Sequence, residues 1–141
     1  FKGQIHMFYR AVSNNMVSTL GHCLLSDPLT IELREQKPVV SPEGPQESMG
    51  IEDPRIVKID QYFFLSYTAF DGKNALGALL LSKDLKEFSR AGVIVPEIPL
   101  GEERFTKGSL KIWDKNLVLL DKKSLFSTLK HFSLTPCPPP M

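Results

Sequence analysis

Hydrophobic and polar positions alternate along most of this chain with a period of two rather than 3.6, which predicts strands and almost no helix. In Ile5-His6-Met7-Phe8-Tyr9-Arg10-Ala11, and again in Arg55-Ile56-Val57-Lys58-Ile59, polar residues interrupt apolar ones at strand spacing. The pattern gives candidate strands at 4–12, 19–26, 30–35, 55–60, 62–70, 75–82, 89–95, 107–112 and 116–121, with a short helix over 123–132. Turn chemistry separates them: Ser13-Asn14-Asn15, Asp27-Pro28, Asp60-Gln61, Asp71-Gly72-Lys73-Asn74 and Asp114-Lys115-Asn116. Residues 36–50 hold three prolines and two glycines and form the longest irregular loop. Its end is expected to be exposed and polar, as a binding loop would be.

The strands repeat. Phe8-Tyr9-Arg10-Ala11 precedes Leu20-Gly21-His22-Cys23-Leu24-Leu25-Ser26-Asp27-Pro28-Leu29. Ser66-Tyr67-Thr68-Ala69 likewise precedes Leu76-Gly77-Ala78-Leu79-Leu80-Leu81-Ser82-Lys83-Asp84-Leu85. The tyrosines are 58 positions apart and the Leu-Gly pairs 56. An all-strand period of this size is the mark of a β-propeller blade, a unit that buries its sheet faces only by stacking on neighbours. The expected fold is all-β: a partial propeller of about two to two and a half blades of four-stranded antiparallel sheet in 141 residues. Blade one covers about 1–50, blade two about 51–100 and the start of blade three about 101–122. Residues 123–141, which end in Thr135-Pro136-Cys137-Pro138-Pro139-Pro140-Met141, read as a divergent, poorly ordered tail. The opening Phe1, with a strand beginning within four residues, gives the expectation of a chain cut from a longer protein.

Composition places the chain among globular proteins, with 42% hydrophobic and 23% charged residues. A net charge of +1 without a basic run gives no support for a nucleic-acid or anionic-membrane partner. No apolar stretch reaches the roughly 18 residues of a membrane-spanning helix. Cys23 and Cys137 suggest neither a disulfide framework nor a metal site, so a cytoplasmic, reducing compartment is the default. His6 and His22 alternate with apolar neighbours and read as packing or surface residues rather than ligands, and Trp113 as a core residue.

Chemistry concentrates in Gly50-Ile51-Glu52-Asp53-Pro54-Arg55-Ile56. Two acids, a proline and an arginine open a strand there, and the proline is expected to hold Asp53 in an extended pose. The same string also suits an ordinary polar turn in which Glu52 ion-pairs with Arg55 or caps a backbone amide.

With the strand ending Tyr67-Thr68-Ala69-Phe70-Asp71-Gly72, this segment resembles glycoside hydrolase family 130, the β-mannoside phosphorylases and their hydrolytic relatives. Ile5-His6-Met7-Phe8-Tyr9-Arg10-Ala11 is similar to that family's first-blade strand, and Ser82-Lys83-Asp84-Leu85 with Gly92-Val93-Ile94 to a later corner, so the likeness runs over residues 4–122 in order. It implies a five-bladed propeller that cleaves β-mannosidic linkages, either by inverting phosphorolysis to mannose 1-phosphate or by hydrolysis. It implies that Asp53 is the general acid, delivering its proton through a sugar hydroxyl, and that Arg10 binds the sugar beside the cleaved bond, with Glu52 and Arg55 in support. Lys107, Lys73 and Asn74 are then the phosphate-binding candidates. No cofactor is implied beyond inorganic phosphate as co-substrate. The partners implied are an oligosaccharide or mannoside and, for the whole protein, further copies of itself.

The chemistry suits these residue types. Glycosidic cleavage needs a proton for the departing oxygen and a nucleophile on the opposite face. If phosphate attacks, cations must hold a dianion and no second carboxylate is required. If water attacks, a second carboxylate is expected. Asp121-Lys122-Lys123 stands where the family carries His-Arg. That departure leaves two other readings open: a non-catalytic sugar- or protein-binding propeller, and an inactive truncated product.

Overall fold

The period-two pattern folds into two β-meanders in the computed structural model, which describes residues 1–94 and 115–119. The first consists of β1 (Ile5–Val12), β2 (Ser18–Asp27) and β3 (Thr30–Arg34). The second consists of β4 (Gly50–Ile59), β5 (Tyr62–Phe70), β6 (Ala75–Ser82) and β7 (Ser89–Val93). Neighbours within each meander are antiparallel, and one parallel pair, Ser18 with Gly50, joins the two. The all-β, partial-propeller expectation therefore holds. The internal repeat corresponds to β1-β2-β3 against β5-β6-β7, and β4 is the additional strand that makes the second meander four-stranded.

Alternate residues of the second meander build the core. Leu65, Tyr67 and Ala69 of β5 share a face with Ala78 and Leu80 of β6, because the register sets Leu65 beside Leu80 and Tyr67 beside Ala78. This face packs on Leu20 of β2 and on Val40, with Phe8, Phe88 and Val93 at its margin. Burial of that apolar surface against the first meander drives the two units together.

The sequence-based boundaries need four corrections. The strand expected at 55–60 begins at Gly50, so Glu52-Asp53-Pro54 lie inside a strand and not in a turn before it. Residues 116–119, the described part of the strand expected at 116–121, pair with no strand among the described residues. The loop over 36–50 is largely exposed towards its end, as expected, but it is anchored at buried points that its composition does not show. Val40 bridges to Leu20, Pro45–Glu47 form a single 3-10 turn, and Glu47 is buried. The Glu47 carboxylate accepts hydrogen bonds from Tyr67 Oη at 2.6 Å and from the Glu43 N–H at 2.7 Å, and pairs with Arg90 at 3.0 Å. Burial, and then the Glu47 carboxylate, push the Tyr67 phenol far above its ordinary range, so it stays protonated and donates to Glu47. The fourth is at Asp53, whose backbone is left-handed rather than extended. The strand at 107–112, the helix at 123–132 and Trp113 lie outside the described residues.

His6 and His22 do pack rather than reach for solvent. Their rings stack with centroids 5.2 Å apart, and Nδ1 of His6 lies 3.0 Å from Nε2 of His22. Burial is the main force lowering both pKa values from the ordinary 6.5. The positive N-terminal amine adds to this at His6, while at His22 the neighbouring His6 and Lys86 lower the pKa and Glu35 opposes them. Both imidazoles therefore stay neutral to lower pH in the fold than in an unfolded chain, which protonates them below about pH 6.5. The stability they support is complete above that value and is lost as pH falls through it. Denaturant midpoints at pH 7.5 and 5.5 should therefore fall on acidification, and the fall should shrink in the His6→Phe/His22→Phe variant.

Candidate active site

The candidate site forms at the end of the sheets where β1 finishes and β2 and β4 begin. Arg10 leaves β1 on the same face as Phe8 and is held at two points. Its Nε donates to Ser18 Oγ at 2.8 Å and its Nη2 to Glu52 Oε1 at 2.7 Å. The Glu52 side chain is only 4% exposed, and its other oxygen meets Lys115 Nζ at 3.0 Å. A carboxylate that deeply placed requires partners of this kind. Arg10 itself is 39% exposed. Of its five N–H groups, the three not used by Ser18 and Glu52 have no partner among the described residues.

Asp53 follows Glu52 directly, and its position comes from a bulge. Glu52 pairs with Thr68 and Arg55 with Ser66, so Asp53 and Pro54 together face the single residue Tyr67. Proline has no N–H to give to a ladder, which suits it to a bulge. Asp53 adopts φ +51°, a left-handed conformation and not the extended one expected of a residue before proline. Aspartate is among the few residue types that visit this region readily. The bulge turns the half-buried Asp53 side chain out of the regular alternation. Among the described residues nothing bonds to its carboxylate.

The remaining candidates separate. Arg55 does not pair with Glu52. It is exposed, donating to Pro54 O at 3.2 Å and to Asn116 Oδ1 at 2.9 Å. Lys73 and Asn74 occupy the β5–β6 turn at the same end of the sheet, since Phe70 pairs with both Gly50 and Ala75. The Asp71 carboxylate accepts the Lys73 and Asn74 N–H groups at 2.7 and 2.6 Å. Partial burial raises the Asp71 pKa, but those hydrogen bonds outweigh it and hold the group below the usual carboxylate range. Lys107 lies outside the described residues.

Two participants carry no sequence signal. Lys115 reaches Glu52 from the segment 115–119, which also places Asn116 on Arg55 and the Leu117 carbonyl on Ser66 Oγ. Ser18, fully buried, touches Gly50 so closely that a Cβ added at Gly50 would lie 2.6 Å from the Ser18 Cβ. Gly50 also has φ +127°. Both facts demand glycine there.

Chemically, the described residues of the corner offer an open carboxylate at Asp53 and a guanidinium at Arg10 with unused donors. Glu52 is neutralised by two cations and is not a free base.

The chain is similar to several known proteins. Residues 2–135 match the family described as β-1,4-mannooligosaccharide phosphorylase. Two curated relatives come from Thermoanaerobacter sp. (strain X514). A β-1,2-mannobiose phosphorylase is 34% identical over 110 residues, covering 67% of this chain and 36% of the relative. A 1,2-β-oligomannan phosphorylase is 36% identical over 105 residues, covering 67% and 35%. The chain thus spans about a third of their length. A glycosyl hydrolase from Bacteroides ovatus superposes with a TM-score of 0.64 at 27% identity, over 74% of this chain and 32% of that one. A second structure, from work on mannoside phosphorylases and on hydrolases that target β-1,2 mannosidic linkages in Candida mannan, gives 0.64 and 27% over 73% and 32%.

Glu52→Gln keeps the shape of the buried side chain and removes both ion pairs. Arg10 and Lys115 are each about a third exposed and can turn to water, so the expected loss is about 1–2 kcal/mol rather than the larger cost of a fully buried pair. Urea denaturation should show a lower midpoint with an unchanged slope.

Proposed function

Because the chain belongs to glycoside hydrolase family 130, the β-1,4-mannooligosaccharide phosphorylase family, we propose that in the natural protein it supplies part of a centre that cleaves β-mannosidic linkages by phosphorolysis. In this reading Asp53 is the general acid and Arg10 binds the sugar next to the scissile bond. Glu52 fixes Arg10, and Arg55 shapes the far side of the bulge. A phosphate oxygen attacks the anomeric carbon from the face opposite the leaving group. The glycosidic C–O bond breaks, and the Asp53 proton passes through a sugar hydroxyl to the departing oxygen. The products are mannose 1-phosphate of inverted configuration and a shortened acceptor. Lys107, Lys73 and Asn74 would bind the phosphate.

The observation that carries this reading is the contrast between two adjacent acids. Among the described residues Asp53 has no partner, while its neighbour Glu52 is held by Arg10 and Lys115. An inverting hydrolase needs a second free carboxylate to activate water, about 6.5–9.5 Å from the first. Phosphate, already an anion, needs cations in place of that base. Both curated relatives are phosphorylases of β-1,2-linked mannosides, which makes such mannosides the first substrates to test. Hydrolysis is the second reading, favoured by the structural likeness to the glycosyl hydrolase.

The test is to incubate the natural protein with β-1,2- and β-1,4-mannobiose, with and without inorganic phosphate. Mannose 1-phosphate formed only with phosphate is the expected result. Free mannose formed equally in both would establish hydrolysis instead, and no cleavage in either would end the proposal. Asp53→Asn should lower kcat by a factor of about 10²–10⁴, the usual contribution of a positioned acid.

A further inference from the structure

Arg10 stands apart from the other candidates because both meanders of the sheet hold it. Its β1 backbone belongs to the first meander, and the carboxylate that grips its Nη2 belongs to β4 of the second. The remaining anchor is Ser18, at the first position of β2. Its Oγ accepts the Arg10 Nε–H at 2.8 Å, and its side chain is fully buried. Ser18 is also the residue at which the two meanders pair. It forms the parallel pair with Gly50, and its N–H donates to Met49 O at 3.3 Å.

We infer that Ser18 is a positioning residue for Arg10: it fixes the guanidinium in the plane that presents its three unused N–H groups to substrate. This rests on the sugar-binding role proposed for Arg10. A guanidinium bound through Nη2 alone can still rotate about that contact. A second bond through Nε removes the rotation, because the donors of arginine lie in one rigid plane. Since Ser18 is also pinned by Gly50, the aim of Arg10 is tied to how the two meanders sit on each other. A serine hydroxyl suits this place. It is small enough for the Ser18–Gly50 approach, and it accepts a charge-assisted hydrogen bond without bringing a charge of its own. Ser18 would touch neither the substrate nor Asp53. Its contribution would therefore be to substrate binding and not to proton transfer.

The kinetic test uses Ser18→Ala, Arg10→Ala and the double variant in the natural protein, with a β-mannobiose as substrate. Losing one hydrogen bond to a charged group should raise KM about tenfold while kcat stays within about twofold. The pH–rate profile should not move, because the proton donor is untouched. Ser18→Cys, of similar size but with a poor acceptor, should give the same KM rise and guards against a folding defect in the alanine variant. The double variant should be no worse than Arg10→Ala. An unchanged KM would overturn the assignment, as would a Ser18→Ala loss that persists in full when Arg10 is already gone.

A measurement independent of turnover is the hydrogen exchange of the Arg10 Nε–H by ¹⁵N NMR, which should quicken about tenfold in Ser18→Ala as its acceptor disappears. Were the natural protein to cleave no mannoside, the proposed function would fall while this exchange rate still decided the positioning role. Unchanged exchange would overturn that role.

Discussion

The close approach of Ser18 and Gly50 is the constraint on which the rest of the structure depends. Each meander alone would leave one apolar face in water, and neither has a second layer of its own. Leu20, next to Ser18 but one in β2, and Ile51, next to Gly50 in β4, are both fully buried where the meanders meet. For backbones to come this near, one partner must lack a side chain, and Gly50 also takes a φ that other residues avoid. The parallel pair at this point sets where β4 begins, and so where its first polar residue, Glu52, faces the end of β1. Hydrophobic packing supplies the driving force, while this one contact sets the registration.

From that registration the polar corner follows in order. Glu52 is buried because β4 starts inside the junction rather than after it, and burial obliges its carboxylate to recruit Arg10 and Lys115. The next two residues cannot continue the ladder, one being proline, so the strand bulges and turns Asp53 outward. Neighbouring acids of identical chemistry thereby receive opposite environments. One is locked between cations and the other is left open, a division of labour set by backbone geometry.

Much of this was legible in the chain itself. Period-two alternation located the strands of the second meander within a few residues, and 62–70 and 75–82 coincide with β5 and β6. The repeat and the resemblance led to the fold and the family, and named Arg10, Glu52 and Asp53 as candidates for one site. What escaped was whatever depends on two distant segments meeting. A turn and a bulge share the same residue types, so Asp53-Pro54 read as the approach to a strand when they interrupt one. Glu52 and Arg55 looked like natural partners because they are near in sequence, but the bulge sends Arg55 to Asn116. Ser18 is an unremarkable serine until Gly50 is placed against it. The 36–50 loop looked exposed because proline and glycine mark irregular backbone, and irregularity alone does not reveal a buried Glu47.

The knot of the buried Glu47 and Tyr67 with the partly exposed Arg90 also bears on how this unit comes apart. Arg90 lies in β7, the last strand of its meander, whereas Glu43 and Glu47 lie just ahead of β4, the first. The hairpins between them are local and quick to zip, but this clasp closes a span of 43 residues and gains its strength only once both ends are in place. A latch completed late in folding contributes little to the rate of assembly and much to the rate of opening. In the second meander β7 is therefore tied twice, by its ladder to β6 and by the Glu47 carboxylate across the sheet, and the second tie bears chiefly on the rate at which β7 separates.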